Sequence, residues 1–145
     1  MNIPEIMFLL ATLTTTLMTG LIWFVQIVHY PLFNQVGAEA FVNYEEKHTF
    51  RTGLVVVPIM LTELGTTVLL WFYRPEFVSL AMTCWLIGLT LLIWLSTFLL
   101  QVPQHNRLSR RFDESSYYKL VRTNWIRTIG WSVKTIICFG LLIHH

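Results

Sequence analysis

Charge is what this sequence has least of. Only 12% of its 145 residues are Asp, Glu, Lys or Arg, against about 25% in an ordinary soluble domain. Disorder is excluded, because a disordered chain carries high charge and few aromatics, and here 14% are aromatic. A soluble enzyme is a poor reading for the same reason. A net charge of +2 supplies no broad cationic face, so no nucleic-acid partner is expected. Cysteine is scarce: Cys84 and Cys138 sit in no CxxC or other metal spacing and are expected as free buried thiols. A phosphate-binding glycine loop, an HExxH motif, low-complexity tracts and a clear internal repeat are all lacking. The N-terminus has neither a basic leader nor an A-x-A-like cleavage site, so its first apolar block is expected to stay as a helix.

Apolar residues, at 54%, are what the chain has in excess. Its few charges divide it into four apolar blocks at 6–28, 52–73, 77–104 and 128–143. The first and third carry no charge, the second only Glu63 and the fourth only Lys134. About 20 apolar residues cross a bilayer as a helix, and no block alternates as a barrel strand would. The reading is a single all-α transmembrane domain over 1–145. It is an integral membrane four-helix bundle with spans near 6–29, 51–73, 77–102 and 122–143.

Orientation follows from Lys and Arg. The connections 30–51 and 105–127 together hold eight, and the opposite side has only Arg74. Both long connections are therefore expected to be cytoplasmic and both termini outside, in a bacterial inner membrane. These connections carry helical patterning. Phe41, Tyr44 and His48 share one face, so a helix over 38–51 should run into the second span. Asp113 has the character of an N-cap for a helix leading into the fourth. Leu108 and Phe112, set among arginines, suggest a segment lying on the membrane surface. Arg74-Pro75-Glu76 makes a tight turn between the second and third spans. Pro58 and Pro103 are expected to kink their helices, and the threonines of the first span to bond their own backbone.

Histidine placement carries the functional information. His29 ends the first span, His48 precedes the second and His105 ends the third, so three imidazoles should meet at the cytoplasmic end. Gln26 with His29, Glu45 with His48, and Gln101 with His105 sit at helical spacings that present both side chains on one face. Imidazole suits iron, copper, zinc or nickel. His29, Glu45, His48 and His105 are therefore candidate ligands of a transition metal (iron, copper or zinc) or of a heme. The alternative is that each histidine anchors a helix end by hydrogen bonds. Asn124 and Arg127, at the start of the fourth span, reach the same level and would orient an oxyanion. Arg51 adds a second planar clamp for an acidic group. Trp94, Phe98 and Gln101 on the third helix and Trp131 on the fourth form stripes that would line a pocket for a flat lipophilic molecule. Glu63 and Lys134 fall at similar depth near the bilayer middle, where an unpaired charge is costly, and should form a buried ion pair. His144 and His145, at the far terminus, are expected to be inert.

The motifs resemble a known family. Val102-Pro103-Gln104-His105-Asn106-Arg107-Leu108, followed by Asn124-Trp125-Ile126-Arg127-Thr128, is similar to the "NVPxNxxL … WxxxNxxRT" signature of the DUF1772, or anthrone-oxygenase-like, membrane proteins. Gly20 and Tyr30-Pro31-Leu32-Phe33 resemble that family's leading run. Pro103, Asn106, Leu108, Asn124, Arg127 and Thr128 match the pattern, whereas His29, His48 and His105 stand outside it. The resemblance implies four spans and oxygenation of an aromatic substrate. Tyr30-Pro31-Leu32-Phe33 is more distantly similar to the four-span HemJ-like protoporphyrinogen oxidases, without their arginine. Taken together, the chain is expected to be a membrane oxidoreductase or oxygenase-like protein. Its site would be a His/Arg/Asn cluster acting on a lipophilic, aromatic small molecule, with membrane lipid around it and a homo-oligomer as one assembly. The alternative is a non-catalytic membrane protein that binds lipid or a partner complex.

Overall fold

In a bilayer no water satisfies the backbone, so a chain this apolar has to close its hydrogen bonds within helices. The computed structural model, which describes residues 2–144, is all-helical, with no strand among those residues. Four helices are long and apolar enough to cross a membrane: α1 (Ile3–Phe33), α2 (Ala38–Leu69), α3 (Leu80–Leu108) and α4 (Glu114–Ile143). At 1.5 Å per residue each is roughly 45 Å long, more than the ~30 Å hydrocarbon core. Their ends therefore project into the headgroup region. His145 lies outside the described residues.

The start signals act as local chemistry predicts. Asn2 and Glu5 form a reciprocal capping box at α1. Ser79 accepts from the Met82 N–H at the start of α3, and Asp113 accepts from the Ser116 N–H, 2.8 Å away, at the start of α4. The helix over 38–51 does continue into α2, which passes through Pro58 unbroken. Two boundaries differ from expectation. The second helix stops at Leu69 rather than at residue 73, and the third begins at Leu80 rather than 77. Residues 70–79 form turns, closed by bonds such as Tyr73 N–H to Leu69 O, so the connection is longer than Arg74-Pro75-Glu76 alone. The apolar edge at Leu108 and Phe112 packs inward on the protein. Leu108 is fully buried, and Phe112 packs edge-on against Phe41 with ring centroids 4.7 Å apart.

The bundle is apolar outside and polar within. Leu13, Leu54, Leu61 and Ile136 are exposed, whereas Thr15, Gln26, Glu63, Asn124 and Lys134 are buried. This is the distribution required where lipid, rather than water, is the solvent. α1 packs on α2 and α4, and α3 packs on α4. At the last contact Gly130 permits close approach, since a Cβ there would fall 3.0 Å from Ile93 Cγ1. Thr12, Thr14 and Thr16 bond back to their own helix, as expected. Thr19 does so and also reaches Thr135, whereas Thr15 departs from that expectation and donates across the bundle to Glu63.

A repeat invisible in the composition emerges from the backbone. α1 and α3 each contain one π-helical turn, at Val25–His29 and Thr97–Gln101. In each, a proline stands two residues beyond the turn, Pro31 and Pro103. Proline lacks an N–H and its ring crowds the carbonyl four residues back. The wider turn relieves that crowding, with Tyr30 N–H bonding to Val25 O and Val102 N–H to Thr97 O. α2 and α4 then carry His48-x-x-Arg51-Thr52 and Asn124-x-x-Arg127-Thr128.

Candidate functional site

The π turn in α1 adds one residue to the helix face, a device often found where a side chain must be re-aimed. Here His29 closes it and Tyr30 follows it, and they turn toward α2 and α3. His29 Nε2 lies 2.8 Å from His48 Nδ1. Tyr30, almost completely buried, brings its hydroxyl 3.2 Å from His105 Nε2. On its other nitrogen, His105 Nδ1 meets Glu45 Oε1 at 2.5 Å. A continuous chain therefore runs Tyr30–His105–Glu45 across three helices. His48 Nδ1 is also 3.1 Å from Thr52 Oγ1, which leaves Nε2 as its free nitrogen.

Glu45, His48 and His105 each offer a ligand atom, and these atoms all lie within 4.8 Å of one another. Glu45 is fully buried, and its Oε2 has no hydrogen-bond partner among the described residues. A buried carboxylate oxygen without a partner is expensive. A cation among the three residues would satisfy it by displacing the Glu45–His105 hydrogen bond. His29 is not in this set of three. It stands behind His48, where it would orient the ring as a supporting group does for a metal-bound imidazole.

Beside the cluster is a cavity of about 130 Å³ between α1, α2 and α4. Met18, Leu21, Ile22 and Val56 form its apolar wall, and Tyr30, His48, His105 and Arg127 its polar end. That volume is comparable to the ~150 Å³ cavity that encloses a single aromatic ring. Arg127 is only 8% exposed, and its guanidinium makes no hydrogen bond or ion pair among the described residues. It stacks over Trp131 instead, 5.1 Å from the ring centroid.

Several expected lining residues are elsewhere. Phe98 is exposed and packs with Trp94 at 5.4 Å, away from the cavity. Trp94 is partly buried against the core around Ile93 and Trp131, but Phe98 falls off the buried face, and the π turn beginning at Thr97 shifts the register further. Gln101 is buried but points to α4, where it donates to Thr123 Oγ1, and it accepts from Ser96 Oγ of its own helix. Trp131 underlies Arg127 without lining the cavity; its indole N–H donates to Glu63. Asn124 donates to Gln26 Oε1 at 2.8 Å and so ties α4 to α1 rather than facing the cavity. Arg51 is exposed, on the rim of an outer cleft with His29 and His48. Sequence reasoning missed Tyr30 as a site residue, along with Thr52 and Gly53. The signal for Tyr30 was its place just before Pro31 and just after the residues that the π turn re-aims.

About two helical turns beyond Arg127 along α4, Lys134 meets Glu63 at 2.7 Å, both fully buried. Lys134 also donates to Thr67 and Thr90, and Glu63 also accepts from Thr15 and Trp131. Every ammonium proton has an acceptor, the condition under which a buried pair is tolerated.

No protein-family model, curated protein or solved structure matches the chain.

Proposed function

We propose that this integral membrane protein is an oxidoreductase of the oxygenase type. It would bind a transition metal through Glu45, His48 and His105 and act on a lipophilic, aromatic substrate seated in the adjoining cavity on the cytoplasmic side. The observation that carries this reading is the buried, half-partnered Glu45 carboxylate within 4.8 Å of ligand nitrogens from two histidines. Two histidines and one carboxylate with open positions are the ligand set of non-heme iron(II) oxygenases. In this assignment His29 supports His48, Tyr30 hydrogen-bonds the His105 side of the cluster, and Arg127 faces the negative charge that develops on a phenolic or enolic oxygen. The motif resemblance to the anthrone-oxygenase-like family points to the same chemistry.

Metal analysis of the detergent-purified protein tests the proposal. About one equivalent of iron, copper or zinc per chain is expected, retained on dialysis and lost in Glu45→Ala, His48→Ala and His105→Ala. A protein that is metal-free and takes up none on anaerobic titration with iron(II), copper(II) or zinc(II) would overturn it. That result would leave the cluster as a hydrogen-bonded anchor of helix ends in a lipid-binding protein.

A further inference from the structure

Arg127 presents an unsolved electrostatic problem. A guanidinium in a bundle interior needs an anion, and the one buried cation deeper in the same helix, Lys134, has its anion in Glu63. Arg127 has none among the described residues, with its Nε unpartnered and 92% of its surface covered. It lines a cavity whose far wall is apolar. The cost of an uncompensated buried charge is large, and a ring face such as Trp131 offsets only part of it.

The cavity is continuous with a cleft on the lipid-facing side of the bundle. It shares Leu21, Val25, His48, Thr52 and Val56 with the outer cleft between α1 and α2. At the mouth of that cleft Phe24 and Val55 are more than half exposed, part of the apolar belt that faces acyl chains. Access is therefore sideways, from the bilayer. Size adds a further restriction. A cavity of about 130 Å³ is comparable to the ~150 Å³ cavity that admits one benzene ring. A fused polycycle would have to leave most of its body in the cleft.

We infer that the cavity binds a lipid-borne acid. The ligand has one oxyanion, a carboxylate or phenolate on a single ring or chain end, held by Arg127, with its apolar tail lying in the α1–α2 cleft. The planar guanidinium fork matches such an oxyanion, and desolvation by the surrounding side chains strengthens the contact. The inference rests on the proposed function in treating this cavity as the substrate's seat, and it names the substrate class. It does not depend on the metal.

The experiment measures binding to the detergent-solubilised full chain with three probes that share an octyl tail: 4-octylbenzoate, 2-octyl-4-nitrophenol and methyl 4-octylbenzoate. Both acids are expected to bind at least about tenfold more tightly than the uncharged ester, the scale of a charge-assisted hydrogen bond. The nitrophenol should ionise at lower pH when bound, read from its phenolate absorbance. Arg127→Gln should erase the preference for the acids. It should also raise the thermal midpoint of the empty protein, because the unpaired buried charge it removes costs more than the stacking on Trp131 returns. A Cβ at Gly53 meets nothing within 4 Å, so Gly53→Leu should fill the cavity, keep the fold and weaken all three probes together. Equal binding of acid and ester, or an acid preference that survives in Arg127→Gln, would overturn the inference. So would saturation of the site by chloride at the expense of both acids. A metal-free protein that still prefers the acids would sink only the oxidoreductase proposal, and a metal-loaded one without the preference would sink only this inference. Preference for the benzoate alone or the phenolate alone identifies the source of the oxyanion.

Discussion

The guanidinium of Arg127 lies 5.1 Å from the centre of the Trp131 ring, one turn along α4, and Trp131 in turn donates its indole N–H to Glu63. A single aromatic side chain thus joins the cavity at the helix ends to the ion pair in mid-membrane. Along this face of α4 every fourth or third residue is polar or aromatic and buried: Asn124, Arg127, Trp131 and Lys134. The four differ in what satisfies them. Asn124 and Lys134 are tied to other helices, Trp131 to Glu63, and Arg127 to no acceptor among the described residues.

The Glu63–Lys134 pair should behave as structural glue. Glu63→Leu or Lys134→Leu alone leaves an uncompensated buried charge and should cost about 3–5 kcal/mol. The double Leu variant should be more stable than either single one, since it buries no charge at all. Equilibrium unfolding in detergent, or thermal midpoints of the three variants, checks this. Losses that simply add would mean that the two residues are not energetically coupled.

His29 should act through His48. His29→Ala should weaken metal binding by about 10–100-fold, the usual effect of removing a group that orients a metal-bound imidazole. Glu45→Ala should abolish it. Isothermal titration of the two variants with zinc separates the roles. If His29→Ala and Glu45→Ala lose metal equally, His29 is itself a ligand and the set of three is incomplete.

Asp113 makes the start of α4 pH-dependent. Hydrogen bonding to Ser116, then the nearby Arg111 and Arg107, holds its carboxyl below the ordinary Asp value of 3.8. A group with a depressed folded pKa contributes its stability fully above the unfolded pKa and loses it as pH falls through the folded one. Asp113→Ala should therefore lower the thermal midpoint at pH 6, and the gap from the unaltered protein should close below pH 3.8. Asp113→Asn, which keeps a capping oxygen, should show little loss and little pH dependence. A gap that stays constant across the titration would mean the residue acts by something other than its carboxylate.

Much of this architecture was readable from sequence because lipid imposes one strong rule. Four apolar blocks interrupted by charges have to become helices, and Glu63 and Lys134, placed at one depth by their spacing alone, had few partners available except each other. Local capping at Asp113 and the helix over 38–51 followed from short-range chemistry. The level of His29, His48 and His105 was also legible, since each stands at the end of a block.

Tertiary structure alone decided which of those residues meet. Side-chain direction in α1 and α3 depends on the π turns at Val25–His29 and Thr97–Gln101, and an inserted residue rotates everything after it by about 100°. A periodicity drawn through Trp94, Phe98, Gln101 and His105 assumes an unbroken α-helix, so it placed Phe98 inside; on α1, Tyr30 was read only as part of a motif and not as a site residue. The lack of an acceptor for Arg127 likewise follows from no local pattern. It depends on how α1, α2 and α4 pack around one side chain, and the close contact of Gly130 with Ile93 holds α4 against α3 as part of that arrangement.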